Sequence, residues 1–190
     1  MKQLWILAGG NGAGKSKFYD TYLKDKNLSF INADRLAKEI SEEQNDAVAK
    51  TAQQQAMDAC LQKILNGETF CFETVFSHES KLELIKKAKV NGYEVIIAFI
   101  HLNKSELNVS RVYQRVENGG HNVPFDKIIS RIPRSVENLK KAIPIVDKVA
   151  LVDNSSTQDP LRVVARIKKS KVIHIENPLP MWAKDILSSI

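Results

Sequence analysis

Gly9-Gly10-Asn11-Gly12-Ala13-Gly14-Lys15-Ser16 is the stretch on which the reading of this chain turns. It follows a short apolar run, Gln3–Ala8 (QLWILA), and precedes charged, periodic residues that begin at Lys17. That context gives strand, loop, helix, and the loop matches the P-loop pattern of Gly, four residues, then Gly-Lys-Ser. The residue types explain the chemistry. Glycines allow a backbone whose amides converge on phosphate oxygens, and the following helix adds its positive end. Lys15 supplies a point charge to the β and γ phosphates, and the Ser16 hydroxyl suits Mg²⁺. The loop therefore implies a nucleoside triphosphate, ATP or GTP, with Mg²⁺, contacted by Gly9, Gly10, Asn11, Gly12, Ala13, Gly14, Lys15, Ser16 and Lys17. Alone, this is a binding statement that many unrelated NTPases share.

Working outward, a second strand over 29–31 ends at Asn32-Ala33-Asp34, and Asp46–Asn66 reads as a long Ala- and Gln-rich helix stopped by Gly67. A third strand, 69–72, leads into Glu73, and 81–91 is an amphipathic helix closed by Gly92. The fourth strand, 94–102, is apolar almost throughout, as expected of a parallel strand covered on both faces. A helix over 105–118 and a helical segment Phe125–Ala142, interrupted and bent at Pro133, make a candidate lid over 105–142. Beyond it the pattern predicts a strand at 148–152, a helix at 161–169, an edge strand at 172–175 and a terminal helix at 181–188. The expected fold class is α/β. We expect one domain over 1–190 with the three-layer P-loop NTPase architecture: a mostly parallel five- or six-stranded sheet, helices on both faces and a helical lid.

Composition fits a soluble protein: 43% of the 190 residues are hydrophobic and 26% charged. No apolar run approaches the roughly 20 residues of a membrane helix, and no signal peptide is evident, so a cytoplasmic location is expected. Cys60 and Cys71 lack metal-ligand spacing and fit a reducing compartment. The net charge of +6 favours anions, but it is dispersed in pairs such as Lys86-Lys87, Lys140-Lys141 and Lys168-Lys169. That is a pattern of solvated faces, and it makes nucleic acid an unfavoured partner.

Four groups of residues qualify for chemistry beyond the loop. Asp34 stands at the carboxyl edge of the sheet, where it serves either as general base toward an acceptor hydroxyl or as a helix cap. Glu73-Thr74 ends the third strand, where Glu73 is a second candidate for the Mg²⁺ shell, a substrate ligand or an ordinary strand end. Arg111, Arg115, Arg131 and Arg134 lie close together in the lid segment; they either neutralise charge on a transferring phosphoryl group or make surface pairs with Glu117 and Glu137. Asn154, after the fifth strand, borders the nucleotide base or merely forms a turn. His101 and His121 have bland explanations as an edge residue and a loop-shaping residue.

Taken together, the P-loop, Ile31-Asn32-Ala33-Asp34, Phe72-Glu73-Thr74 and the stretch from Arg115 with its Gly-Gly-His, Val-Pro, Arg-Ile-Pro-Arg-Ser and Asn-Leu elements resemble the zeta toxin family. The resemblance implies a P-loop kinase that uses ATP and Mg²⁺ to phosphorylate a hydroxyl of UDP-N-acetylglucosamine, and a small antitoxin partner that blocks the nucleotide site. It also implies roles: Lys15 and Ser16 on phosphates and Mg²⁺, Asp34 as base, Glu73 and Thr74 on substrate, and Arg115, Arg131 and Arg134 as lid charges. Val75 and Phe76 depart from the family's usual Thr and Leu after Glu-Thr. Two other readings stand beside a UDP-sugar or metabolite kinase: a nucleotide-dependent protein-binding switch, and a polynucleotide kinase.

Overall fold

In the computed structural model, which describes residues 1–41, 45–119 and 122–190, the glycine-rich loop leaves the carboxyl end of the first strand, the middle one of five parallel strands in a seven-stranded sheet. The strands are β1 (Gln3–Ala8), β2 (Ser29–Asn32), β3 (Phe70–Thr74), β4 (Glu94–His101), β5 (Lys148–Asp153), β6 (Arg162–Lys168) and β7 (Lys171–Ile175), in the order β2-β3-β1-β4-β5-β6-β7. The first five are parallel, and β6 and β7 add an antiparallel edge. The helices are α1 (Lys15–Tyr22), α2 (Ala33–Ile40), α3 (Asp46–Asn66), α4 (Ser80–Val90), α5 (Ser105–Glu117), α6 (Phe125–Ala142) and α7 (Met181–Leu187).

Strand β4 explains the layering. All six residues from Val95 to Ile100 are buried, because alternate side chains enter opposite layers. Val95, Ile97 and Phe99 pack with Ala56 and Cys60 of α3, Ile85 of α4, Leu139 of α6 and Ala183 of α7. Ala98 and Ile100 pack with Phe18 and Tyr19 of α1 on the other face. Parallel strands on both sides of β1 bring β1, β2 and β3 to the same carboxyl edge. That edge carries Gly9, Asp34 and Glu73.

Two expectations change. The sheet has seven strands rather than five or six, because 161–169 forms β6 instead of a helix. Leu161, Val164 and Ala165 are buried at helical spacing, which imitates an amphipathic helix. The cause is a register irregularity: Leu151 pairs with Ala165 and Val152 with Val163, so Val164 is extra. The β6–β7 hairpin turns through Lys169 and Ser170, both with positive φ, a conformation usually signalled by Asn-Gly rather than Lys-Ser. Second, α6 runs unbroken through Pro133. Pro133 is exposed, so the carbonyl its missing N–H leaves behind can be served by solvent.

Helices α5 and α6 share a small core of Val109, Val112, Val123 and Ile128. The second half of α6, with Leu139 and Ala142, belongs to the main core.

Candidate active site

The P-loop is held by contacts that only glycine permits. Gly9 has φ +142°, and a Cβ there would lie 2.1 Å from the Ile100 carbonyl oxygen of β4. Gly14 has φ +102° as the N-cap of α1, and a Cβ would lie 2.3 Å from Asn154 Nδ2. A loop that offers amides to phosphate must turn its carbonyls the other way. Two buried asparagines fix that orientation: Asn108 Nδ2 of α5 donates to the Asn11 carbonyl at 2.7 Å, and Asn154 Nδ2 donates to the Ala13 carbonyl at 2.8 Å. Asn154 Oδ1 accepts from the Leu161 amide at 3.2 Å, and Arg111 donates to the Asn154 carbonyl at 2.9 Å. The Asn154 side chain is thus committed to anchoring the loop, although the residue also lines a shallow hollow of about 300 Å³ with Lys17, Arg111 and Thr157.

Next to the loop, a cleft of about 360 Å³ is lined by Asn11, Lys15, Asp34, Glu73, Arg115 and Arg131, among others. Lys15 Nζ donates to the Gly10 carbonyl at 3.0 Å and lies 3.9 Å from Glu73 Oε1. Burial pushes its ammonium below the ordinary lysine value; Glu73 and Asp34 act in the opposite sense, and Arg115 and Arg131 add to the lowering. The Ser16 hydroxyl donates to Glu73 Oε2 at 2.8 Å. Ser16 and Glu73 therefore present two oxygens side by side at the foot of α1. Among the described residues there is no cluster of three or more acidic, His or Cys ligands. One carboxylate, one hydroxyl and no protein cage match Mg²⁺, which binds through few side chains, substrate phosphates and water.

Asp34 is relieved of capping. Asn32 caps α2, its side chain accepting from the amides of Asp34 at 2.7 Å and Arg35 at 3.1 Å. The Asp34 carboxylate instead lines the cleft, 3.8 Å from the guanidinium of Arg115. Arg131, partly buried, places NH1 3.5 Å from Asn11 Oδ1 in the P-loop. Arg134 does not join them: it is exposed, with Nε and NH2 donating to the carbonyl and hydroxyl of Ser130, and it does not line the cleft. Thr74 lines the cleft, but its hydroxyl accepts from the Phe76 amide at 3.1 Å and shapes the turn in which Phe76 has φ +65°.

Three residues without an assigned role in the sequence reading hold this frame. Asn108 anchors the P-loop, and α6 pins the turn after β3 through Ser135, which donates to the Val75 carbonyl at 2.6 Å, and Asn138, which donates to the Phe76 carbonyl at 2.9 Å. The signal was present: each is a polar residue on the apolar stripe of its helix, beside Val109 and Val112 in α5 or Leu139 and Ala142 in α6. His101 is largely buried, stacked on Phe99 and against Trp182, and burial pushes its imidazole down to about 4. Cys60 and Cys71 are buried free thiols. No helix among the described residues is long and apolar enough to cross a membrane. His121 lies outside the described residues.

A mostly parallel sheet with a P-loop after β1 and acidic groups at the neighbouring strand ends defines a P-loop NTPase fold of the kinase-like kind. More narrowly, the chain belongs to the zeta toxin family, whose model matches residues 1–161. An uncharacterised protein of Haemophilus influenzae is 29% identical over 132 residues, covering 66% of this chain and 94% of that protein. Among solved structures, the complex of AvrRxo1-ORF1 and -ORF2 with ATP contains a chain similar to this one with a TM-score of 0.74 and 16% identity. All of this chain aligns, and it spans 64% of that longer chain. The PezAT chromosomal toxin–antitoxin system of Streptococcus pneumoniae gives a TM-score of 0.66 and 17% identity, covering 98% of this chain and 83% of that one.

Proposed function

We propose that the protein is an ATP- and Mg²⁺-dependent kinase that transfers the γ phosphoryl group to a hydroxyl of a UDP-sugar, UDP-N-acetylglucosamine being the leading candidate. The observation that carries this reading is the shared cleft: Asp34, Glu73, Lys15, Arg115 and Arg131 all line it, at one end of the P-loop. A simple NTPase switch has no need of a carboxylate beside an open cavity on the acceptor side. The UDP-sugar itself rests on the resemblance to zeta toxins.

The acceptor hydroxyl oxygen attacks the γ phosphorus, the bond to the β–γ bridging oxygen breaks, and ADP departs while Asp34 takes the hydroxyl proton. Lys15 and the loop amides hold the β and γ phosphates through the transfer. Arg115 holds the Asp34 carboxylate in place, and Arg131, already against Asn11, neutralises the moving phosphoryl charge. Mg²⁺, held by Ser16 with Glu73 beside it, would supply charge neutralisation on the phosphate oxygens. Phosphoryl transfer depends on this positioning and electrostatic compensation more than on covalent participation. A small antitoxin partner belongs to the same proposal, supported by family membership and by the fold shared with PezAT.

The test is incubation of purified protein with ATP, Mg²⁺ and a panel of UDP-sugars and other hydroxylated metabolites, read by mass spectrometry. The expected result is a UDP-sugar heavier by one phosphate, with ADP released in step. No acceptor-dependent ADP from any UDP-sugar would overturn the proposal.

A further inference from the structure

At the end of the sheet away from β2, β7 is the last strand, and all five of its residues are exposed. A strand in that position turns alternate amides and carbonyls away from the sheet. The Glu176 amide donates inward to the Val164 carbonyl at 2.9 Å. Ile175, the residue before it and the partner of Ala165, therefore turns its own N–H and C=O outward.

The two faces of this edge differ in chemistry. Residues directly opposite each other in antiparallel strands share a face, so Lys148, Lys168 and Lys171 form a row across β5, β6 and β7, and Arg166 stands opposite His174 in the next row. Lys148 pairs with Glu94 of β4 at 2.6 Å, while Arg166, Lys168, Lys171 and His174 are exposed. Like charges directly opposite are destabilising, so carboxylates laid beside this row relieve a repulsion already present in the fold. The other face is apolar. Ala165 and Ile167 are buried in the main core, and their partners Ile175 and Val172 carry that layer on into solvent. Arg166 pairs with His174 and Ile167 with Val172, so Ile173 is an extra residue. This bulge puts Val172 and Ile175, three apart, on one face and Lys171 and His174 on the other.

We propose that β7 is a docking edge for an extended segment of a partner protein in which acidic and apolar residues alternate. Such a strand pairs its backbone with the open edge, sets its carboxylates beside Lys171 and His174, and sets its apolar side chains beside Val172 and Ile175. A second copy of this chain fits the edge badly. Pairing of two β7 strands about a two-fold axis keeps each residue on its own face, so both copies bring Lys171 and His174 to the same side; lysines guard an edge against self-pairing in this way. A nucleic-acid strand meets the basic face but leaves the apolar face and the open backbone unused. The edge lies four strands from β1, and the inference stands apart from the phosphoryl-transfer reading of the cleft.

The experiment titrates the full chain with a capped synthetic peptide of alternating glutamate and valine, long enough to span β7, and follows the backbone amides of residues 171–176 by NMR and hydrogen exchange. The expected result is saturable binding with new protection of the Ile175 amide. A peptide of the same composition with its glutamates and valines in separate blocks, and one with lysine in place of glutamate, should each bind about tenfold more weakly or worse. Reversing the charges together, Lys168→Glu with Lys171→Glu, should invert the preference so that the lysine–valine peptide binds better than the glutamate–valine one. All these side chains are exposed, and unchanged nucleotide affinity shows that the double variant is folded. Absence of saturable binding, or equal binding of the block peptide, would overturn the proposal. So would a free chain that sediments as a dimer with its Ile175 amide already protected, which makes the occupant a second copy, or tighter binding of a single-stranded oligonucleotide at the same amides.

Discussion

The two halves of the site are built by different means. On the P-loop side, the donor side of the proposed reaction, backbone geometry dominates: Gly9 and Gly14 adopt positive φ, and Asn108 and Asn154 turn the loop carbonyls outward from buried positions. On the side of the proposed acceptor, side chains from separate elements meet across an open cavity: Asp34 from α2, Glu73 from β3, Lys81 from α4, Arg115 from α5 and Arg131 from α6. A backbone cradle is rigid and intolerant. A cleft assembled from side chains can change its specificity one residue at a time while the fold stays intact.

The strongest way to break this contrast is Gly9→Ala. A methyl group 2.1 Å from the Ile100 carbonyl must move β1 or β4, so nucleotide affinity should fall by more than about 100-fold with a clear loss of thermal stability. Titration calorimetry and a melting curve check both, and a variant that binds ATP normally would refute the rigid-cradle account.

Acid should act on the floor of the donor half. His101, next to Ile100, has its imidazole pushed down to about 4 by burial, with Asp153 acting in the opposite sense. Between about pH 6.5 and pH 4 the unfolded chain binds a proton that the folded one refuses, so stability falls as pH drops through that window and levels off below it. The expected loss is about 3 kcal/mol, and denaturant melts across pH should show it shrinking in His101→Phe.

On the acceptor side, Arg131→Ala should lower turnover about 100-fold, whereas Arg134→Ala should leave it within about twofold, as expected for a surface arginine. Steady-state kinetics on the two variants separate a cleft arginine from a surface one. The loop anchors give a further test. Asn154→Ala strands the Ala13 carbonyl and the Leu161 amide, at a cost of about 1–3 kcal/mol, and should weaken ATP binding more than it changes KM for the acceptor.

The same contrast governs what could be read from the chain. The donor half was legible because glycine spacing encodes backbone geometry locally, within residues 9–16. Asp34 and Glu73 were legible as strand-end residues, but that the cap of α2 is Asn32 and not Asp34 required the structure. Arg131 and Arg134 could not be told apart in sequence, since their difference is the direction each faces on α6. Strand β6 reads as a helix in the sequence because an extra residue at Val164 gives it the spacing of a helix.

The central claim is that a phosphate cradle and an acceptor base share one cleft, and Asp34→Asn tests it most directly. ATP affinity and acceptor-dependent ADP release are to be measured side by side in this variant and the parent chain. The account predicts affinity within about twofold of the parent and a loss of turnover of about 100-fold or more, the size expected for removing a positioned general base. Full turnover in Asp34→Asn would contradict it.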